Sequence, residues 1–264
     1  MAKKKNDKSR QRDKTPNNEA QNIDALLHNW PYDPSAVSVR LTHGDDEREV
    51  IQMRVEMGVL QLETTGRPDG ESPNGCDTFF GHLIQEEIAR GEEFELTEDE
   101  CLECDREFVQ YYHRRVCWLA LQRYDRAVMD ADHTLALMDM CRRHSPDEDW
   151  TLSHEQYRPF VMYHRIQADA MAKIVDDNAE AAIHSINSGL DALKKVFVEH
   201  EAEEHFDDDE LVARLVELRE QLRDQFDVGK TLHERLADAV ATEQYELAAN
   251  LRDELASRRK RPQR

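Results

Sequence analysis

Nowhere does this chain carry a long apolar run. No stretch approaches the roughly 18 consecutive apolar residues of a membrane span, so the sequence predicts no membrane-embedded segment. Aromatics are scarce at 7%, and only nine glycines and eight prolines punctuate 264 residues, a balance that favours helices over a β-sandwich. There is no GxSxG, no GxxxxGK[ST] and no dinucleotide fingerprint, which removes the nucleophile elbow and both phosphate-cradling loops. The five cysteines, Cys76, Cys101, Cys104, Cys117 and Cys141, are too few and odd in number for a disulfide framework. Cys101 and Cys104 form a CxxC without a second pair at zinc-finger spacing, and His200 and His205 lie five apart, outside the HExxH spacing. The expectation is no metal, no cofactor and no enzyme. The beginning, MAKKKNDKSRQRDK, has no apolar segment after its basic residues, so no secretory leader is expected and a cytoplasmic location is the default.

What the chain has in abundance is acid. Its net charge is -21 with 34% charged residues, yet residues 1–14 and 258–264 each carry +5, leaving -31 between them. Such a body repels nucleic acid, and contact with phosphate is expected only through the basic tails, if anywhere.

The pattern divides the chain into a disordered basic tail (1–19), a small α+β segment (20–78), an acidic helical body (79–227), a terminal hairpin (229–258) and a second basic tail (259–264). A first helix is predicted over Ala20–His28, stopped by Trp30-Pro31. Val37, Val39 and Leu41, then Ile51, Met53, Val55 and Met57, alternate with polar neighbours on either side of the turn His43–Asp46, which predicts a β-hairpin. Val59, Leu60 and Leu62 extend it to a three-stranded meander. The loop from Gly66 to Gly75 is a candidate ligand loop, although Arg67 is its lone basic residue.

From Phe79 the period becomes helical. One helix ends at Gly91, and another starts at Thr97, an N-cap before Glu98 and Glu100, with Phe108, Tyr112, Val116 and Leu119 expected inward. Tyr124, Ala127, Val128, Ala131, Leu135 and Met138 mark the next helix. After a polar loop at Ser145-Pro146-Asp147, a second pair carries Phe160, Tyr163 and Ile174, then Ala182, Ile183 and Ile186. The segments YDRAV (124–128) and AEAAI (179–183) resemble the second half of a tetratricopeptide repeat. Their alanines are 55 residues apart, and Arg115 stands where that family prefers a small residue, so the resemblance implies stacked helical hairpins with no regular array. A further helix, Leu211 to Phe226, leads to Gly229 as a joint. His113, His133, His164 and His184 fall on helices and form no recognisable constellation. The expected fold is therefore mainly α: tetratricopeptide-like stacked hairpins, a small N-terminal β-hairpin or meander, and a C-terminal helical hairpin.

The terminal stretch KTLHERLADAVATEQYELAANLRDELASR (230–258) is the richest in information. Leu232, Leu236, Ala239 and Val240 share one helix face; Tyr245, Ala248, Ala249, Arg252 and Leu255 share another. Thr242 between them is expected to cap the second helix, with Glu243 and Glu246 at its positive end. Two helices this short are marginal alone and need a surface to lean on. The pattern LxxxLxxAVxxEQYExAAxLRDxL resembles the UVR motif of excinuclease subunits B and C, which also occurs in McsA-like partners of the bacterial arginine kinase and in some Clp-type unfoldases. The resemblance covers about a tenth of the chain, while the several CxxC pairs of McsA-like proteins are missing. It implies a hairpin that associates with other proteins without catalysis, through Leu232, Leu236, Val240, Tyr245, Ala248, Ala249, Arg252 and Leu255. The expected function is an adaptor for a UVR-bearing protein, a Clp-type unfoldase or an excinuclease subunit, in proteolysis or stress control; a homodimer is a further expectation, since the helix Leu211 to Phe226 can pack against a second copy of itself. An accessory role in nucleotide excision repair is the alternative.

Overall fold

Alternation of apolar and polar residues builds a three-stranded antiparallel meander from β1 (Val39–His43), β2 (Glu49–Val55) and β3 (Gly58–Glu63). Leu41, Ile51 and Leu62 are cross-strand partners and form a row on one face. On the other, Arg40 Nε donates to Gln52 Oε1 (3.0 Å) and Gln52 Nε2 donates to Gln61 Oε1 (3.0 Å), a polar ladder that fits a half-solvated sheet. Val37 lies before β1, and Met57, expected in the second strand, is 89% exposed in the two-residue turn, because Val55 already pairs with Gly58. The computed structural model describes residues 22–259; both basic tails other than Arg259, and the start of the expected first helix, lie outside the described residues. What is described of that helix is α1 (Asp24–Asn29).

The rest is mainly helical: α2 (Phe79–Arg90), α3 (Glu98–Ala120), α4 (Tyr124–His144), α5 (Glu148–Glu155), α6 (Arg158–Val175), α7 (Ala179–Glu199), α8 (Glu210–Phe226), α9 (Leu232–Ala241) and α10 (Tyr245–Arg259). Thr97 makes a full capping box with Glu100 at the start of α3, and Gly91 closes α2 with a φ of 60°. Helix α5 follows the predicted loop at Ser145-Pro146-Asp147, in a stretch for which the sequence predicts no element, and is started by Asp147 capping the N–H of Trp150.

Three apolar clusters hold the body. The sheet row packs on Cys117, Trp118, Ala127 and Ala168, so the sheet shares its core with α3, α4 and α6. Leu83, Phe94, Phe108, Leu137 and Met140 centre a second cluster, and Ile166, Ile183, Ile186, Leu193 and Leu215 a third across α6, α7 and α8. On α3 the inward face differs from expectation: Tyr112 is exposed, while Glu107, Tyr111, Arg114 and Arg115 are buried. For Glu107 and Arg114, paired charges make this possible. Arg114 meets Asp130 through two bonds, Nε at 3.0 Å and Nη2 at 2.8 Å, and its Nη1 donates to the carbonyls of Glu63 and Gly66.

One turn recurs between antiparallel helices. In α3–α4, α6–α7 and α9–α10, the middle residue of a three-residue connection, Gln122, Asp177 or Glu243, is left-handed with φ of 57°, 58° and 57°. The following N–H then reaches back to Trp118, Lys173 or Ala239, the bond pattern of a Schellman close. The fourth residue of each following helix is a buried alanine, Ala127, Ala182 or Ala248. The segments that resemble tetratricopeptides are therefore two copies of this turn, and the terminal hairpin is a third.

Candidate interaction surface

Thr231 starts α9 with a capping box: its N–H and hydroxyl donate to Glu234 Oε2 at 2.7 and 2.8 Å, and its Oγ1 accepts from the Glu234 N–H at 3.3 Å. Arg223 of α8 donates to the same carboxylate, and Arg219 approaches it at 3.8 Å. Partial burial alone would raise the Glu234 carboxyl, but the Arg223 guanidinium and the Thr231 N–H and hydroxyl overcome this and hold it at about 2. Helix α8 is closed by left-handed Asp227 with the Val228 N–H on the Arg223 carbonyl, so the joint begins two residues before Gly229.

Thr242 does not cap α10. Its hydroxyl donates to the Asp238 carbonyl at 2.7 Å, and the reversal is made by Glu243. The Thr242 side chain is thus committed to the end of the helix that precedes it.

Ala239, Ala248 and Leu251 form the buried centre of the hairpin, with Leu232 and Leu236 packed partly against them; among the described residues no side chain from the body joins this cluster. Small alanines let the two backbones approach, and that leaves little apolar bulk to cover the flanks. Val240 is 53% exposed, Tyr245 68% and Leu247 41%. Arg252 is exposed and paired with its neighbour Asp253 at 3.0 Å, and Ala249 and Leu255 are half-buried. Of the eight residues singled out by sequence, Val240, Tyr245 and Arg252 point outward. Ala248 is instead consumed by the hairpin's own core. Leu247, two residues from Tyr245 and therefore on another face of α10, is also exposed.

The Gly66–Gly75 loop has a different character. Its one arginine, Arg67, is buried against Asp69 (3.3 Å), Glu103 (2.9 Å) and Glu107 (3.8 Å), so its charge is spent inside the fold. Glu107, fully buried, also accepts the N–H groups of Phe79 and Phe80 at the start of α2, at 2.7 and 2.9 Å. These bonds dock the loop onto α3 and leave it no free cation for phosphate. Cys101 and Cys104 are buried in the core, where burial pushes the Cys101 thiol up to about 11. Among the described residues no group of three His, Cys, Asp or Glu side chains is placed to hold a metal ion, and no helix is long and apolar enough to cross a membrane. No protein-family model, curated protein or solved structure matches the chain.

Proposed function

We propose that the chain is a non-catalytic adaptor that docks a partner's helical hairpin on the exposed flank of α9–α10. The observation that carries this reading is the exposure of Val240 and Tyr245, apolar residues on an element whose own buried core consists of only Ala239, Ala248 and Leu251. A second hairpin laid against Val240 and Tyr245 buries them and relieves the marginal stability of two short helices. The resemblance to the UVR motif supports a partner that carries the same kind of hairpin, either a Clp-type unfoldase or an excinuclease subunit.

The test is affinity recovery from the native cell with full-length protein and with the double variant Val240→Asp, Tyr245→Asp. Both positions are exposed, so the variant keeps its fold while a charge enters the contact. Loss of the same specific partner supports the reading; undiminished recovery removes it. An unfoldase in the eluate points to proteolysis, whereas an excinuclease subunit, with ultraviolet sensitivity on gene removal, points to repair.

A further inference from the structure

A cavity of about 850 Å³ opens between α3, α4 and the segment from α5 into α6. Its walls are apolar and mostly aromatic: Phe108, Tyr112, Met138, Tyr157, Phe160 and Val161. Arg115 lines it at only 1% exposure. Its Nη1 donates to Thr134 Oγ1 at 3.0 Å and its Nε to His164 Nδ1 at 3.3 Å. Among the described residues Arg115 has no hydrogen bond from Nη2 and no ion pair with a carboxylate; Asp130, already bonded to Arg114, acts on it only at longer range.

The other buried arginines are treated differently: Arg54 donates to the carbonyls of Trp30 (2.7 Å) and Gly58 (2.9 Å), and the remaining three meet carboxylates. Arg67, Arg114 and Arg158 meet Glu103, Asp130 and Glu155 at 2.9, 2.8 and 2.6 Å. Arg115 has neutral partners instead, Thr134, His164 and the Tyr112 ring, 5.9 Å from its Cζ. Burial, then the neighbouring guanidinium, pushes His164 down to about 4, so it is uncharged at neutral pH, and burial lowers Arg115 to about 10, where it remains a cation. A buried, unpaired cation is costly, and an anion supplied from outside offsets that cost.

We propose that this cavity binds a small carboxylic acid with an apolar body, the carboxylate on Arg115 Nη2 and the body against the aromatic walls. The volume lies within the range of small-molecule sites. One free guanidinium donor matches a monoanion, whereas a polyphosphate would meet too few donors and the field of a chain whose net charge is -21. Asp105, the acidic residue of the lining, lies ten positions from Arg115, about 15 Å along the helix. It accepts from Trp150 Nε1 at 3.0 Å and His154 Nε2 at 2.8 Å.

The experiment is calorimetric titration of the full-length protein with decanoate and 2-naphthoate, and with decanol and 2-naphthol as uncharged counterparts. Both acids are expected to saturate, and to bind at least about ten-fold more tightly than their counterparts. Arg115→Met keeps the length and apolar stem of the side chain; it should lower acid affinity about ten-fold or more and leave the alcohols unchanged. Val109→Asp, at the exposed rim, should weaken the acids by about five-fold through repulsion, and it decides the matter if Arg115→Met does not fold. Equal affinity for acids and alcohols, acid binding unchanged in folded Arg115→Met, or no saturation by either acid at about 1 mM would overturn the proposal. So would a peptide whose C-terminal carboxylate displaces both acids with ten-fold higher affinity.

Discussion

Arg223 at the end of α8 and Glu234 in the first turn of α9 are joined across the connection that leads into the terminal hairpin, and the same carboxylate completes the capping box of α9. One acidic side chain therefore both starts a helix and ties it to the body. Glu234→Gln weakens both links and Arg223→Ala the second, so amide exchange in α9 and α10 should accelerate while α3 and α4 keep their protection. The sign with pH follows from a carboxyl held near 2, below its ordinary 4.5. Its stabilising contribution is complete above about 4.5 and is lost as pH falls from there toward 2. Protection of α9 amides in the wild type should fall over that interval, and the fall should be smaller in Glu234→Gln.

The hairpin's centre is small enough for one residue to decide its fate. Leu251→Ala removes the largest buried side chain of that cluster and should cost about 2–4 kcal/mol, enough to melt α9 and α10 while the body stays folded. Circular dichroism and proteolysis near residue 229 check this. Tyr245→Asp, at a position 68% exposed, should change stability by less than about 0.5 kcal/mol.

Left-handed residues without a glycine are a reserve of stability in this chain. Gln122 and Glu243 both adopt φ of 57°, a conformation that costs a non-glycine residue about 1 kcal/mol. Gln122→Gly should raise unfolding free energy by about 0.5–1 kcal/mol, read from the denaturation midpoint, and Glu243→Gly should do the same for the hairpin. No change in either variant would mean that the turn is held by other contacts.

Between α6 and α7 the reverse holds. A Cβ on Gly189 would lie 2.4 Å from Ile166 Cγ1 and 2.7 Å from its Cδ1 and Cγ2. Gly189→Ala should destabilise by about 1–3 kcal/mol, and Gly189→Ala with Ile166→Val should recover part of it, since the pair is in direct contact.

Local signals were legible wherever a residue acts on its own neighbours. Thr97 with Glu100, Gly91 after Arg90, and the alternation through Ile51 and Met53 all operate within a few residues, and the elements form where those signals stand. Thr242 misled because a hydroxyl bonds backward to Asp238 as readily as forward, and the choice depends on which residue takes the left-handed turn. Helix α5 is hidden because its eight residues carry only two apolar side chains, Trp150 and Leu152, too few for a stripe; Trp150 and a capping Asp147 hold it in place. Tyr112 was assigned inward on α3 because periodicity assumes that the buried face is apolar.

By itself the sequence determined the helical character of the chain, its acidic charge, the three-stranded meander and the pairing of two short helices at its end, because backbone propensity, capping and period are properties of contiguous residues. Tertiary structure alone decided which charges went inside: Glu107, Arg114 and Arg115 look in the chain like any solvated helix face, and only partners 15 to 50 residues away make their burial possible or, for Arg115, leave it incomplete. Tertiary structure likewise decided that Ala248 is spent within the hairpin while Val240 and Tyr245 stay outside. A side chain's role there depends on whether the body reaches across to cover it, and among the described residues the apolar cluster of the hairpin contains none from the body.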